Sequence, residues 1–300
     1  MIAAPWLWIV FTVLAALGQT VRNAMQRELT QRLGTAGATQ IRFIFGFPFA
    51  ILFLLGVLLV TGTALPRPSL VFWPWLVAGA LAQVIATALM LVAMGERSFI
   101  VAYCYIKTEP VQVAIFGLIF LGDALSATTI AAIVIATAGV IVMAVRPGAA
   151  SQASLRPTVV GLISGGMFAL SAIGYRGAIL SLADSSFLMA ATYTLAWGLF
   201  AQSAVLTMYL VWRKPAALRA IFDAWRPSAL AGFMGATASE FWFLAFALTS
   251  AANVRTLGLI EVLFAQLISS YVFRHATTLR EKLGVVLVLA GVTMLVLTHA

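Results

Sequence analysis

Long apolar stretches alternate with short polar segments along the whole chain. A helix that crosses the hydrocarbon core of a membrane needs about 20 predominantly apolar residues. Seven stretches free of Asp, Glu, Lys and Arg reach or approach that length: residues 1–21, 43–66, 68–95, 124–145, 157–175, 185–212 and 283–300. Each of them predicts one transmembrane helix.

Three further stretches are long and apolar but contain charged residues, and they span residues 98–122, 227–250 and 251–273. A charge within a span is tolerated when it faces the interior of a helix bundle. We therefore predict ten transmembrane helices, numbered as spans 1 to 10 in chain order. The predicted fold class is an all-α membrane protein.

The composition agrees with this prediction. Hydrophobic residues make up 63% of the chain and charged residues 9%, whereas soluble domains have about 45–50% apolar and about 25% charged residues. The single cysteine, Cys104, excludes an intrachain disulfide and a multi-cysteine metal site. With only His275 and His299 as histidines, we expect no metal and no cofactor.

The positive charges lie mainly on one side of the predicted bundle. The loops after spans 1, 3, 5, 7 and 9 contain Arg22, Arg27, Arg32, Arg97, Arg146, Arg156, Arg213, Lys214, Arg219, Arg226, Arg274, Arg280 and Lys282, whereas the opposite face has only Arg67 and Arg176. Because basic loops stay in the cytoplasm, both termini are predicted to be periplasmic. This topology accounts for the net charge of +9 without nucleic acid as a partner. The Arg- and Ala-rich composition is typical of a GC-rich bacterial genome, which favours the inner membrane.

The two halves of the chain match at a constant offset of 152 residues. Glu109 pairs with Glu261, Ser98 with Ser250, and the Ala-Gly-Val run that starts at Ala138 recurs 152 residues later. The glutamate match is the most informative, because few glutamates lie within spans. The sequence therefore predicts an internal repeat.

The repeat divides the chain into a first unit at 1–147, a linker at 148–156 and a second unit at 157–300. Each unit contains five spans, and an odd number inserts the second unit upside down. Inverted repeats are typical of secondary transporters, whose binding site lies near the bilayer midplane between the units.

At this point the chain resembles the drug/metabolite transporter superfamily, in its EamA-type ten-helix branch. The resemblance is carried by the two five-span units, by Glu109-Pro110-Val111 and Leu121-Gly122-Asp123 in span 4, and by the glycine-centred runs at 138–140 and 290–292. Family members usually have glutamate at the position of Asp123 and proline at that of Val262. Among them, the chain looks most like the YddG-type bacterial amino-acid exporters. The resemblance implies export of small metabolites by alternating access, through a central cavity lined by spans 1, 3, 4, 6, 8 and 9.

Ionisable residues within the spans are candidates for the substrate site, because a charge at the bilayer centre costs about 2.5–3.5 kcal/mol and is usually functional. A zwitterionic amino acid needs a positive group for its carboxylate and a negative group for its ammonium. Lys107 or Arg42 is suited to the first role, and Glu109 or Glu261 to the second. The candidate substrate-binding residues are Glu109, Glu261, Lys107, Tyr103, Tyr105, Glu240, Trp242, Arg42 and Arg255.

The same residues have other interpretations. Glu109 and Glu261 are also candidates for carrying a coupling proton. Alternatively, the charged residues form internal ion pairs that hold the helices in register. Arg42 and Arg255 lie near the ends of their spans, from which a long side chain can extend to the interface.

Span 4 raises a question of geometry. Lys107 and Glu109 are two residues apart, which places them on nearly opposite faces of a regular helix. We expect one face to line the cavity and the other to contact a neighbouring helix, unless Pro110 distorts the turn. Pro110 is the expected kink, because proline removes the hydrogen bond to the carbonyl of Ile106.

Other function classes fit the sequence less well. A membrane enzyme lacks support, because no P-loop, GxSxG spacing or acid–base constellation is present. A passive channel favours rings of like residues, whereas this chain has two unlike halves. Carriers of nucleotide sugars or of drug-like cations remain as alternatives. The expected partners are a small-molecule substrate and the lipid bilayer, and we expect a monomer.

Overall fold

The computed structural model describes residues 4–95, 106–144, 155–272 and 278–299, and within these ranges it contains helices and turns but no strand. The all-α prediction is confirmed. The helices are α1 (Leu7–Ile44), α2 (Gly46–Thr61), α3 (Phe72–Gly95), α4 (Glu109–Leu121), α5 (Ala127–Ala144), α6 (Leu155–Leu180), α7 (Phe187–Arg213), α8 (Pro215–Asp223), α9 (Trp225–Leu248), α10 (Ala251–Leu257), α11 (Ile260–Val272) and α12 (Leu279–His299).

Six helical segments of the described chain are long and apolar enough to cross a membrane. They are Gly37–Thr61, Phe72–Ala93, Val159–Leu180, Phe187–Arg213, Trp225–Leu248 and Leu279–Thr298, and shorter apolar helices lie at Leu7–Asn23, Glu109–Leu121 and Ala127–Met143. Large apolar side chains such as those of Leu59 and Val60 are exposed on the outside, as expected of a surface that faces lipid. The protein is a multi-pass membrane protein.

Helix α1 differs from the sequence-based expectation. A loop was expected around Arg22, but the chain is helical from Leu7 to Ile44 and changes direction only at Gly34, whose φ is +69°. Arginine, glutamate and glutamine have good helix propensity, so a polar segment made of them does not by itself end a helix. As a consequence Arg22, expected in a cytoplasmic loop, is buried with only 3% of its surface exposed.

Two of the predicted spans contain a turn near their centres. Residues 107 and 108 form a turn before α4 begins at Glu109, and Gly258 and Leu259 separate α10 from α11. Pro110 lies in the first turn of α4, where proline is tolerated because its missing N–H has no helical partner. The expected kink is therefore wrong in detail, since Pro110 belongs to the start of a new helix.

Small residues allow the helices to approach closely. Helix α3 packs on α6, α5 on α12, and α1 on α9. In the first pair a Cβ added to Gly174 would lie 2.6 Å from the backbone nitrogen of Gly79, and in the second a Cβ added to Gly291 would lie 2.6 Å from that of Ala136. Such small-residue contacts are the usual way in which membrane helices gain packing energy.

Candidate substrate cavity

A cavity lies among the interrupted helices and their neighbours. The cavity is small, with a volume of about 30 Å³, and its described lining residues are Gln19, Arg22, Asn23, Arg42, Gln83, Met90, Ile106, Lys107, Glu109, Phe168, Tyr175, Ser239, Trp242, Phe243, Phe246, Arg255 and Glu261. Most of them belong to the predicted spans 1, 3, 4, 6, 8 and 9, whereas Arg22, Asn23 and Arg42 lie on α1 between the predicted spans 1 and 2. The cavity thus combines charged groups of both signs with aromatic rings.

Two buried ion pairs cross the cavity between span 4 and span 9. Lys107 donates a hydrogen bond from Nζ to Oε1 of Glu261. Arg255 approaches Glu109, with 3.1 Å between Nε and Oε1. Each glutamate is therefore paired with a basic residue of the other half of the chain. Since Glu109 and Glu261 are 7% and 2% exposed, water screens these pairs little.

The helix interruptions make this arrangement possible. On a continuous helix Lys107 and Glu109 would point in nearly opposite directions, but the turn at residues 107 and 108 lets both line the same cavity. Glu109 and Glu261 each lie in the first turn of a helix, where the helix dipole stabilises a negative charge.

Gln19 and Trp242 extend the charged cluster. Gln19 donates from Nε2 to Oε2 of Glu261 at 2.5 Å and accepts from the indole Nε1 of Trp242 at 3.0 Å. The guanidinium of Arg255 lies 4.7 Å from the centre of the Trp242 ring, a favourable cation–π distance. Arg255 therefore points inward, and the interpretation that it extends to the interface is wrong. Gln19 was missed, because a lone glutamine in an apolar span carries no motif.

Two arginines lie elsewhere along the cavity wall. Arg42 is 4% exposed and donates from Nη1 to Oγ1 of Thr87 at 3.4 Å. Its guanidinium also lies 5.3 Å from the centre of the Phe43 ring. Arg22 donates from Nη2 to Oδ1 of Asn23 at 2.8 Å. Arg42 does not extend to the membrane interface, because its neighbours on α3 and α9 enclose it.

One sequence-based candidate, Glu240, lies outside this cluster. Glu240 does not line the cavity and accepts a hydrogen bond at 2.5 Å from Oγ1 of Thr192 on α7. Tyr103 and Tyr105 lie outside the described residues. The sequence did not single out Gln83, a cavity residue that accepts a hydrogen bond at 3.3 Å from the hydroxyl of Tyr175.

Arg176 and Asp123 form a further charged contact, outside the cavity. The Nε atom of Arg176 lies 3.4 Å from Oδ2 of Asp123, and its Nη1 donates to the carbonyls of Phe246, at 2.7 Å, and of Thr249. These carbonyls belong to the C-terminal end of α9 and its cap, where a helix attracts cations. Arg176 thus joins α6, the end of α4 and the end of α9.

Replacing Arg176 with glutamine is expected to lower the free energy of unfolding by about 2 kcal/mol, the usual range for hydrogen bonds to a charged group. The thermal midpoint of the purified protein in detergent measures the effect. Arg213→Gln is the matched control, because Arg213 is exposed at the end of α7 and stacks on its neighbour Trp212. Equal midpoints for the two variants would show that the Arg176 contacts do not hold these helices together.

The described residues contain no group of three His, Cys, Asp or Glu side chains arranged to hold a metal ion. The acidic groups of the cavity face basic side chains instead. Within this part of the chain, the chemistry available at the site is ion pairing, hydrogen bonding and aromatic contact. These are the interactions by which a small polar molecule is bound and released.

Comparison with known proteins relates the chain to a transporter family. Residues 6–145 match the sequence model of the EamA-like transporter family, part of the drug/metabolite transporter superfamily. A protein of known crystal structure has the same fold, with a TM-score of 0.72 and 14% sequence identity over 98% of this chain and 96% of that one. No curated protein sequence matches the chain. Residues 6–145, just under half of the chain, are therefore similar to the EamA-like transporter family.

Proposed function

We propose that this protein, whose residues 6–145 are similar to the EamA-like transporter family, is a secondary transporter that exports small metabolites across the bacterial inner membrane. The proposed substrates are amino acids, including aromatic ones, as in the YddG-type exporters that the sequence resembles. The observation that carries the proposal is the pair of crossed ion pairs, Lys107 with Glu261 and Arg255 with Glu109, in a cavity between the helices.

The proposed architecture is ten spans in two inverted five-span units, 1–147 and 157–300, joined by 148–156, with both termini periplasmic. The helix packing supports this architecture. If the two units are related by symmetry, span 3 corresponds to span 8 and span 6 to span 1, so a contact of spans 3 and 6 implies an equivalent contact of spans 8 and 1. Span 3, which is α3, packs on span 6, and span 1, the first part of α1, packs on span 8, which is α9. The interruptions before Glu109 and Glu261 also occur at corresponding places.

The crossed ion pairs link substrate binding to the movement of the two five-span units relative to each other. A zwitterionic amino acid carries the same two charges as one ion pair, so its ammonium competes for a glutamate while its carboxylate competes for Lys107 or Arg255. Each pair connects span 4 to span 9, which belong to different units. A substrate that replaces such a contact changes how strongly the units are held in one arrangement, and this differential interaction is what alternating access requires.

Transport into liposomes tests the proposal. Purified protein is expected to take up labelled amino acid with saturation, and uptake should accelerate when the liposomes are preloaded with the unlabelled compound. A channel shows neither property. Glu109→Gln is expected to lower the uptake rate at least tenfold, because it removes the charge that faces Arg255 and a substrate ammonium. The matched control is Asp184→Asn, which removes a carboxylate from an exposed turn, and uptake equal to that of the control would contradict the role of Glu109.

A further inference from the structure

Glu240 is an ionisable residue of span 8 that the crossed ion pairs do not use. It lies on α9 and contacts Thr192 of α7, with 2.5 Å between Oε1 and Oγ1. Its other oxygen, Oε2, is buried and has no hydrogen-bond partner among the residues that the structure describes. No basic side chain of the described chain forms an ion pair with it. Within this part of the protein, Glu240 is therefore held between two helices without a counter-charge.

The contact with Thr192 involves more acceptors than hydrogens. The hydroxyl of Thr192 is completely buried and lies 2.8 Å from the carbonyl oxygen of Leu188 as well as 2.5 Å from Oε1 of Glu240. Its single hydrogen cannot be donated to both oxygens at once. An ionised carboxylate only accepts, whereas a protonated carboxyl also donates. With a proton on Glu240, the carboxyl donates to Thr192 and Thr192 donates to Leu188, so that both short contacts are hydrogen bonds.

The buried Oε2 atom favours the same protonation state. An ionised carboxylate out of water is very costly unless it is paired and hydrogen-bonded. A neutral carboxyl that keeps one hydrogen bond leaves only an uncharged carbonyl oxygen without a partner, and the cost of that is much smaller. The neutral form of Glu240 therefore suits its position between α7 and α9, and the charged form does not.

The charged groups nearest along α9 belong to other contacts. Helix α9 packs against α1, α2, α6, α7, α8 and α10, and α2 contains no ionisable residue. The described arginines of α1, Arg22 and Arg42, pass over Gly235, which is more than one helical turn from Glu240. Arg255 of α10 is used in a crossed pair. None of these described side chains therefore neutralises Glu240.

The ionisable side chains on the other neighbouring helices are also engaged or distant. On α6, Tyr175 donates to Gln83, and Arg176 pairs with Asp123. On α7, the ring of Tyr193 packs against that of Phe72. The remaining described members lie towards the far end of α7, on α8 and at the start of α9: Tyr209, Arg213, Arg219, Asp223 and Arg226. Among the described groups, only the hydroxyl of Thr192 bonds to Glu240.

We propose that Glu240 carries a proton in this arrangement of the helices and is the site that couples export of the substrate to entry of protons. The inference rests on the proposed transport function and deepens it by naming the coupling ion. An O–H bond forms on Glu240 with a proton from periplasmic water, and it breaks when the proton passes to cytoplasmic water. The substrate moves in the opposite direction.

The position of Glu240 explains how its proton influences the helices. Loss of the proton leaves an unpaired charge between α7 and α9, which favours an arrangement in which the carboxylate reaches water. Phe243, three residues further along α9 and adjacent on the helix surface, lines the cavity. The carboxyl thus lies beside the face of α9 that contacts the substrate cavity, so a movement of α7 away from α9 opens a path between them.

Infrared difference spectroscopy of the full-length protein in detergent at neutral pH tests for the proton, because a protonated carboxyl has a C=O band that a carboxylate lacks. The band should be present in the wild-type protein and missing in Glu240→Gln. Thr192→Val should keep the band at a shifted frequency, because the carboxyl loses its hydrogen-bond acceptor, and this variant also serves if Glu240→Gln does not fold. Asp184→Asn, in an exposed turn, is the control and should leave the band unchanged. The proposal is overturned if neither the Glu240 variant nor the Thr192 variant alters a carboxyl band.

Transport in liposomes tests the coupling. Liposomes that contain the protein are loaded with labelled L-phenylalanine, and efflux is measured with the outside solution at the same pH as the inside or more acidic. The acidic solution should accelerate efflux severalfold in the wild-type protein and in Asp184→Asn, because protons then enter in exchange. In Glu240→Gln this acceleration should disappear, while exchange of labelled for unlabelled L-phenylalanine at equal pH continues, since exchange needs no net movement of protons. An acceleration of the same size in Glu240→Gln would overturn the coupling role.

The two measurements separate this inference from the proposed function. Saturable transport of L-phenylalanine by a protein without the infrared band would overturn the proton at Glu240 and leave the amino-acid transporter intact. If L-phenylalanine is not transported, the proposed substrate class fails, and the infrared band still decides whether Glu240 carries a proton. A band and a response to the pH difference that both disappear in Glu240→Gln support the inference and the function together.

Discussion

Replacing Glu261 with glutamine is expected to have the largest functional effect, lowering the transport rate at least a hundredfold and the free energy of unfolding by about 3 kcal/mol. Glu261 accepts hydrogen bonds from Lys107 and Gln19 on its two oxygens. A glutamine has only one side-chain oxygen, so its amide group would face one of these two donors and leave it without an acceptor. The neutral side chain also removes the buried counter-charge of Lys107. Transport into liposomes and the thermal midpoint in detergent measure the two effects.

A double variant and a control variant distinguish the contribution of this ion pair to stability from its contribution to transport. The double variant Lys107→Met with Glu261→Met replaces both charges by apolar groups, which is often neutral for stability, so the midpoint should recover while transport stays lost. Glu240→Gln is the control for removing a carboxylate from a span, because Glu240 contacts Thr192 outside the cavity. A Glu261→Gln protein that transports as fast as the Glu240→Gln protein would sink the proposed role of the crossed pairs.

The second large effect is expected at Gly174, where substitution by alanine should reduce stability by about 3 kcal/mol, at the upper end of the usual cost of overpacking. A Cβ at this position would lie 2.6 Å from the nitrogen and 2.7 Å from the Cα of Gly79. Backbone atoms cannot rotate away as a side chain can, so α3 and α6 would have to separate. The thermal midpoint and the yield of folded protein in detergent report the change.

Gly56→Ala is the control for this substitution. Gly56 lies in α2, and an added Cβ there meets no atom within 4 Å. Alanine should then leave stability equal or raise it slightly, because it has the better helix propensity. If Gly174→Ala behaved as Gly56→Ala does, the close contact of α3 and α6 would not be a source of stability.

Much of the membrane architecture could be predicted from the pattern of apolar residues. The segments at Phe72–Ala93, Phe187–Arg213 and Trp225–Leu248 agree with predicted spans, because each must satisfy its backbone hydrogen bonds within an apolar environment. The segment around Arg22 was predicted wrongly. A run of charged residues predicts a loop there, but such residues are compatible with a helix, and Gly34 alone changes its direction.

The candidate site could be predicted in part. Lys107, Glu109, Arg255 and Glu261 stood out because charged residues are rare in apolar spans. Their pairing could not be predicted, since it depends on which helix lies opposite each side chain. The interruption before Glu261 was also hidden, because no proline marks it.

The amino-acid sequence by itself determined that this chain is an all-α membrane protein with charged residues inside its spans. Both conclusions follow from the cost of exposing polar groups to lipid, which acts on each residue separately. Only the tertiary structure decided that Lys107 faces Glu261 and that Arg255 faces Glu109, and that Arg42 is buried beside Thr87. Such contacts depend on helix interruptions and on close glycine packing between distant segments, so they arise from the assembled bundle and not from any one helix.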